Sequence, residues 1–273
     1  MSAGPSPSVM SEEVARFDAL GDAWWDADGP MAPLHRLNPV RIAWARDLIA
    51  RHFKLEPPTG APLAGVSLLD VGCGAGLFAE PLSRLGADVV GVDPAPAAIE
   101  AARRHAEETG ARLAYRAATV EELAAELRRF DVVSAMEVIE HAADRKAFVA
   151  TAASLVKPGG LFLASTLNRT LKSFALAIVG AEYLLRWLEP GTHRWEQFVT
   201  PIELTSFARA AGLTRASLRG IVYNPLGAVW RLSPDLGVNY LFAARKPGSD
   251  WNSEDGGPPL SGSGAIAESR ASP

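Results

Sequence analysis

The stretch FDVVSAMEVIEH, residues 130–141, ends on two carboxylates and an imidazole: Glu137, Glu140 and His141. If the chain turns helically after Met136, the three stand at i, i+3 and i+4 and share one face. Two carboxylates and an imidazole suit a hard or borderline divalent ion such as Mg²⁺, Mn²⁺ or Zn²⁺. They equally suit proton transfer, since an imidazole with an unperturbed pKa of about 6.5 is largely neutral at neutral pH and can take a proton. A third role is structural, with the trio closing a strand end and its loop.

A second chemical signal lies upstream in LLDVGCGAGLFAE, residues 68–80. In a strand–turn–helix unit, glycines let the backbone bend sharply and bring N–H groups close to a ligand. Gly72, Gly74 and Gly76 fit that role, but a dinucleotide fingerprint beginning at Gly72 wants its third glycine where Leu77 stands. Asp93 follows Gly72 by 21 positions, where a carboxylate can accept hydrogen bonds from both ribose hydroxyls of an adenosine. That acid alone does not separate NAD from S-adenosylmethionine.

Such residues need a scaffold, and the chain alternates short apolar runs with helical patterns, as a doubly wound α/β sheet does. Strands are expected at 66–71, 87–93, 112–118, 130–136 and 161–166. Their near-continuous apolar character suits burial on both faces. Two later strands, 217–224 and 239–246, have no convincing helix between them and point to an antiparallel hairpin at a sheet edge. Ahead of the first strand, Ser11 caps a helix carrying Val14, Phe17 and Trp24, and Asn38 with Pro39 reads as N-cap and first residue of a second. Ile42, Ala45, Ile49 and Phe53 give that helix its apolar stripe. Thr200, Pro201 and Glu203 open a later one with a capping box. Residues 1–10 and 247–273, rich in Gly, Ser, Pro and acid, are expected to be disordered.

The 273 residues are 48% hydrophobic, enough for one substantial core. With 27 basic against 31 acidic side chains and no basic block, nucleic acid is not an expected partner. The single cysteine, Cys73, fits a reducing compartment, and the N-terminus lacks the basic and apolar regions of a signal peptide. A cytoplasmic protein is expected.

DVGCGAG, VVGVD, FDVVSAMEVIEH and LVKPGGLFLAST, in this order and spacing, resemble successive motifs of the class I S-adenosylmethionine-dependent methyltransferases. The resemblance implies a Rossmann-like α/β fold with a seven-stranded, mostly parallel sheet whose last strand is antiparallel. WWDADGPMAPLHRLNPVR, EVIEH, STLNRTLKSFALAIVGAEYLLRWLEPGTH and GIVYNP narrow it, over about residues 12–246, to the ubiquinone-biosynthesis O-methyltransferases. Cys73 and Ala75 fall at variable turn positions, and the C-terminal tail runs past the family pattern. By position the resemblance implies S-adenosylmethionine as cofactor, held by Arg41, Gly72, Gly74, Asp93 and Met136, with Asp70 near the methionine end. From sequence alone Arg41 is equally a solvated helix position. The implied substrates are a polyprenyl catechol and the later demethylubiquinol. Glu140 and His141 become the catalytic pair, either through a metal on Glu137, Glu140 and His141 that lowers the acceptor's pKa, or with His141 as general base. Other enzymes of ubiquinone biosynthesis are implied as partners. Another small-molecule methyltransferase, an NAD-dependent oxidoreductase and a lipid-surface protein without chemistry remain the alternatives.

Residues 167–199 are far longer than an ordinary strand-to-helix connection. Phe174, Ile178, Ala181 and Leu185 recur at helical spacing with Lys172, Arg186 and Arg194 nearby. Glu182 and Arg186 make the apolar run unsuited to spanning a bilayer. Two readings stand: a helix capping the active site, or an interfacial helix resting on an anionic membrane surface, which would place the protein peripherally at the inner membrane. Tyr223, Asn224, Asn239 and His35 are within plausible reach of an aromatic substrate, although satisfied polar residues are the more ordinary reading.

Overall fold

Among the described residues, the apolar runs read above as strands do form strands, and their successive side chains feed two different cores. In the computed structural model, which describes residues 11–55, 60–175, 195–224, 227 and 229–248, the strands are β1 (Ser67–Val71), β2 (Asp88–Asp93), β3 (Ala114–Ala117), β4 (Phe130–Met136), β5 (Val156–Leu167), β6 (Thr214–Asn224), β7 (Val229–Ser233) and β8 (Asn239–Arg245). They form one sheet in the order β3-β2-β1-β4-β5-β8-β6-β7. The first five are parallel, and β8 runs antiparallel between β5 and β6. Because side chains alternate across a strand, Leu68, Val89, Val132 and Leu163 enter one core while Leu69, Val90, Val133 and Phe162 enter the other. The expected fold class holds with one strand more than the expected seven. That strand is β7, which closes the edge against β6, so the edge hairpin is β6–β7 and not the pair of strands expected to form it.

The helices are α1 (Ser11–Asp18), α2 (Ala32–His52), α3 (Ala79–Arg84), α4 (Pro96–Thr109), α5 (Val120–Ala125), α6 (Arg145–Ser154), α7 (Leu171–Ser173) and α8 (Pro201–Ala210). Local chemistry sets several boundaries: α8 opens with the expected Thr200–Glu203 capping box, and α4 ends on Gly110 at φ +68, a left-handed position that suits glycine. Two expectations are corrected. The second helix begins at Ala32, with Pro33 in the opening turn, and Pro39 lies inside it, so Asn38 is a buried helical residue and not a cap; His35 likewise belongs to the helix. Pro39 has no N–H for the carbonyl four residues back, and the helix continues across it on packing, with Trp44, Ala45, Leu48 and Ile49 buried. The first helix stops at Asp18, and Trp24 belongs to a separate 3₁₀ turn, Gly21–Trp25. The expected disordered ends lie almost wholly outside the described residues, as do positions 176–194 of the insertion.

In a sheet of this order, the strands on either side of β1 leave in opposite directions, and a crevice opens at the carboxyl ends of β1 and β4. Both chemical signals of the sequence end there.

Candidate active site

The turn after β1 is built from the backbone outward. Val92 O accepts from the N–H groups of Gly72 (2.8 Å) and Cys73 (3.0 Å), which ties the turn to β2. Gly72, Gly74 and Gly76 all have positive φ, at +68, +52 and +89. A Cβ would lie 2.4 Å from Val138 at Gly72, 2.6 Å from the Trp24 indole at Gly74 and 2.0 Å from the Tyr115 hydroxyl at Gly76. The glycines therefore admit the protein's own side chains as well as any ligand. Trp25 fastens the same turn from outside, its Nε1 donating to Ala75 O at 3.1 Å while its ring stacks 3.3 Å from that of His105.

Asp93, at the end of β2, accepts from Gly74 N on Oδ2 and from Ala95 N on Oδ1, each at 2.9 Å. Burial raises its pKa, and the two N–H groups oppose the rise. Each oxygen keeps a lone pair for a further donor. Asp70 is buried and accepts from the Ser134 hydroxyl at 2.7 Å. Desolvation pushes its pKa up to about 7. Met136 closes β4 and is also buried.

Arg41 is not solvated. Only 2% exposed on α2, it donates from Nη2 to Glu137 Oε1 at 2.6 Å, while its Nε is buried with no partner among the described residues. Burial lowers the guanidinium pKa, and the charges of Glu137 and Glu140 oppose that shift. Glu137 has φ +56, an uncommon conformation for a non-glycine residue, and two contacts from β5 hold it there. Its N–H donates to Ser165 O at 3.0 Å, and Oε1 accepts from the Ser165 hydroxyl at 2.8 Å. The next residue of β5, Thr166, donates to Glu140 Oε2 at 2.8 Å. Glu140 is buried and its pKa is pushed up to about 7, first by desolvation and then by the charge of Glu137, with His141 opposing. The His141 ring stands edge-on to Phe17, centroids 5.5 Å apart.

The metal expected on Glu137, Glu140 and His141 finds no ligand set. Glu137 sits in left-handed backbone before the 3₁₀ turn Ile139–His141, so the three do not share one helical face. The two carboxylates are drawn to different partners on β5, and among the described residues no group of three or more His, Cys, Asp or Glu side chains is arranged to hold a metal ion. Arg41, Glu137, Glu140, Ser165 and Thr166 instead form one buried polar cluster next to His141.

Ser165 and Thr166 are missing from the sequence reading. Their signal was two hydroxyls inside an apolar run buried on both faces, where each needs a partner. The helical spacing of Phe17 and Trp24 suggests only helix packing, yet Phe17 lies over His141 and Trp24 over the glycine turn, where Trp25 joins it. His35 is engaged with Trp24 O at 2.9 Å, and Tyr223 packs its ring 5.2 Å from that of Trp230.

Comparison with known proteins adds the following. A family model described as a methyltransferase domain matches residues 39–218. A ubiquinone biosynthesis O-methyltransferase of Methylobacterium nodulans is 56% identical over 247 residues, 90% of this chain and 99% of that protein. Its namesake from Methylocella silvestris is 55% identical over 249 residues, 89% of this chain and 97% of its own. Among solved structures, the magnesium protoporphyrin IX methyltransferase of Synechocystis with bound SAH superposes with a TM-score of 0.58 at 17% identity, covering 86% of this chain and 99% of that one. At that identity the likeness shows the fold alone.

Proposed function

The chain belongs to the methyltransferase-domain family and within it to the ubiquinone biosynthesis O-methyltransferases, and from that membership we propose that it transfers a methyl group from S-adenosylmethionine to a phenolic hydroxyl of a prenylated ubiquinone precursor. Both a polyprenyl catechol and demethylubiquinol are substrates in this reading. The observation that carries it is the near-complete coverage of relatives bearing that name at more than half identity.

The residues at the carboxyl ends of β1, β2 and β4 fit the cofactor. A buried guanidinium with one carboxylate partner and an unpaired Nε suits a second carboxylate, that of the methionine moiety, beside Arg41. The spare lone pairs of Asp93 suit the ribose hydroxyls, and Gly72, Gly74 and Met136 border the same crevice. When bound, S-adenosylmethionine supplies an electrophilic methyl on a sulfonium.

The chain's own task is to align the acceptor and remove its proton. The phenolic oxygen forms its bond to carbon as the carbon–sulfur bond breaks, and the phenolic proton passes to His141. Glu140, held by Thr166, lies close enough to stabilise the imidazolium when ionised. Phe17 and Trp24 keep water from this face of the cleft. No step passes through a metal. Among the described residues no helix is long and apolar enough to cross a membrane, and we retain docking of segment 167–199 on anionic lipid, with peripheral inner-membrane residence, as the route by which a prenylated substrate arrives. The test is incubation of the purified chain with labelled S-adenosylmethionine and a short-tailed demethylubiquinol, with a water-soluble catechol beside it. Label in the quinol ether supports the reading; label only in the soluble catechol assigns a different small-molecule acceptor.

A further inference from the structure

The first residue of β8 carries a buried polar group that no described residue satisfies. Asn239 is 7% exposed, and its Oδ1 is buried without a hydrogen-bond partner among the described residues. Folded proteins pair nearly all such groups, so an orphan at a ligand site asks what it is meant to bind. Asn239 stands opposite Leu167 of β5 and Ile221 of β6, so it shares their face of the sheet and that of Ser165, two residues before Leu167. On that face the Ser165 hydroxyl holds Glu137 beneath Arg41. Because β8 is antiparallel to β5, its first residue lies at the end of the sheet where β1, β4 and β5 finish. Tyr223 continues the same face beyond Ile221, its ring packed on Trp230.

A carboxamide oxygen between a charged strand-end cluster and an aromatic pair suits a flat ring that carries a hydroxyl. Building on the function proposed above, we propose that Asn239 determines acceptor specificity by accepting a hydrogen bond from the ring hydroxyl adjacent to the one that is methylated. An amide oxygen accepts from a neutral hydroxyl and repels a phenolate. Asn239 therefore keeps the adjacent hydroxyl protonated and leaves its neighbour as the one that loses its proton to His141. The class of acceptor this selects is a ring with two adjacent hydroxyls, and the contact fixes which of the two is methylated.

The test compares the full-length chain with its Asn239→Leu variant, near in size but without the acceptor, on a short-tailed prenyl catechol and on the matched phenol lacking the second hydroxyl. KM and kcat are measured for both, together with affinity for S-adenosylhomocysteine and the thermal midpoint. The KM for the catechol is expected to rise about five- to tenfold, that of one hydrogen bond, with the phenol's KM nearly unchanged. Cofactor-product affinity stays at the parental value, and the thermal midpoint does not fall, because no hydrogen bond of the fold is lost. Asn239→Ala reads the same contrast if leucine is not accommodated. A parental preference for the catechol retained by the variant overturns the inference alone, as does a fall in midpoint accompanied by lost cofactor-product affinity, which assigns Asn239 to the fold. A parent that methylates neither the catechol nor the phenol overturns the proposed function and this inference with it.

Discussion

Replacing Glu140 with glutamine removes a buried carboxyl while keeping an oxygen for the Thr166 hydroxyl, and its consequence can be worked out from the structure. In the fold the pKa of Glu140 is pushed from 4.5 to about 7, chiefly by burial. A carboxyl whose folded pKa lies above its unfolded value leaves the fold most stable below pH 4.5, and that stability is lost as pH rises through the folded value near 7. At 1.36 kcal/mol per pKa unit the full loss is roughly 3 kcal/mol, most of it between about pH 5 and about pH 8.5. Urea unfolding of the parent and of Glu140→Gln at those two pH values measures it. The parent is expected to lose roughly 2 to 3 kcal/mol more than the variant over this interval; Asp70, also raised to about 7, contributes to both proteins and cancels. Identical pH dependence in the two proteins, or a steeper loss in the variant, would refute the reasoning.

Arg41→Met leaves Glu137 without its cation in a largely buried site and is expected to cost about 3 kcal/mol in urea unfolding, with S-adenosylhomocysteine affinity falling at least about tenfold by calorimetry. Gly76→Ala drives a methyl into the Tyr115 hydroxyl from a backbone at φ +89, and chemical denaturation should register a loss of about 2 kcal/mol or more, whereas Gly110→Ala, with open space around its Cβ, should show only the smaller backbone penalty of about 1 kcal/mol. Thr166→Val removes the hydrogen bond that restrains the pKa of Glu140, so the limb of the pH–rate profile governed by that carboxyl should move to higher pH; an unmoved limb means Glu140 does not set it.

How far the molecule is legible from its residues depends on which force sets each feature. Strands β1, β2, β4 and the second half of β5 are buried on both faces and therefore read as near-continuous apolar runs, whereas β3, reading AYRA, buries only Tyr115; the observed limits depart from expectation by a few residues at most, except that β5 begins five residues earlier, at Val156. Edge strand β7, reading VWRLS, is largely exposed and mixes charge with apolar residues, so no burial pattern marks it. Two prolines compete for the start of α2: Pro33 is the opening one, and Pro39 is tolerated only because the buried face of the helix outweighs one missing donor. Asp93 and the glycines could be placed from their register alone, since the turn's geometry is local. Burial of Arg41, the left-handed backbone of Glu137 and the separation of the supposed ligand trio could not, because each depends on a partner far along the chain: Arg41 on a residue 96 positions away, Glu137 on one 28 away and Glu140 on one 26 away.

Calorimetric titration with S-adenosylhomocysteine, of the parent and of Asp93→Ala verified as folded by circular dichroism, tests most directly whether the crevice beyond β1 and β2 receives the adenosyl group of the methyl donor through that carboxylate. Saturable heat is expected for the parent, with affinity weakened about a hundredfold or more when the two ribose contacts are lost, and no heat with NAD in either protein. Equal affinity in parent and variant, or heat with NAD and none with S-adenosylhomocysteine, would contradict it.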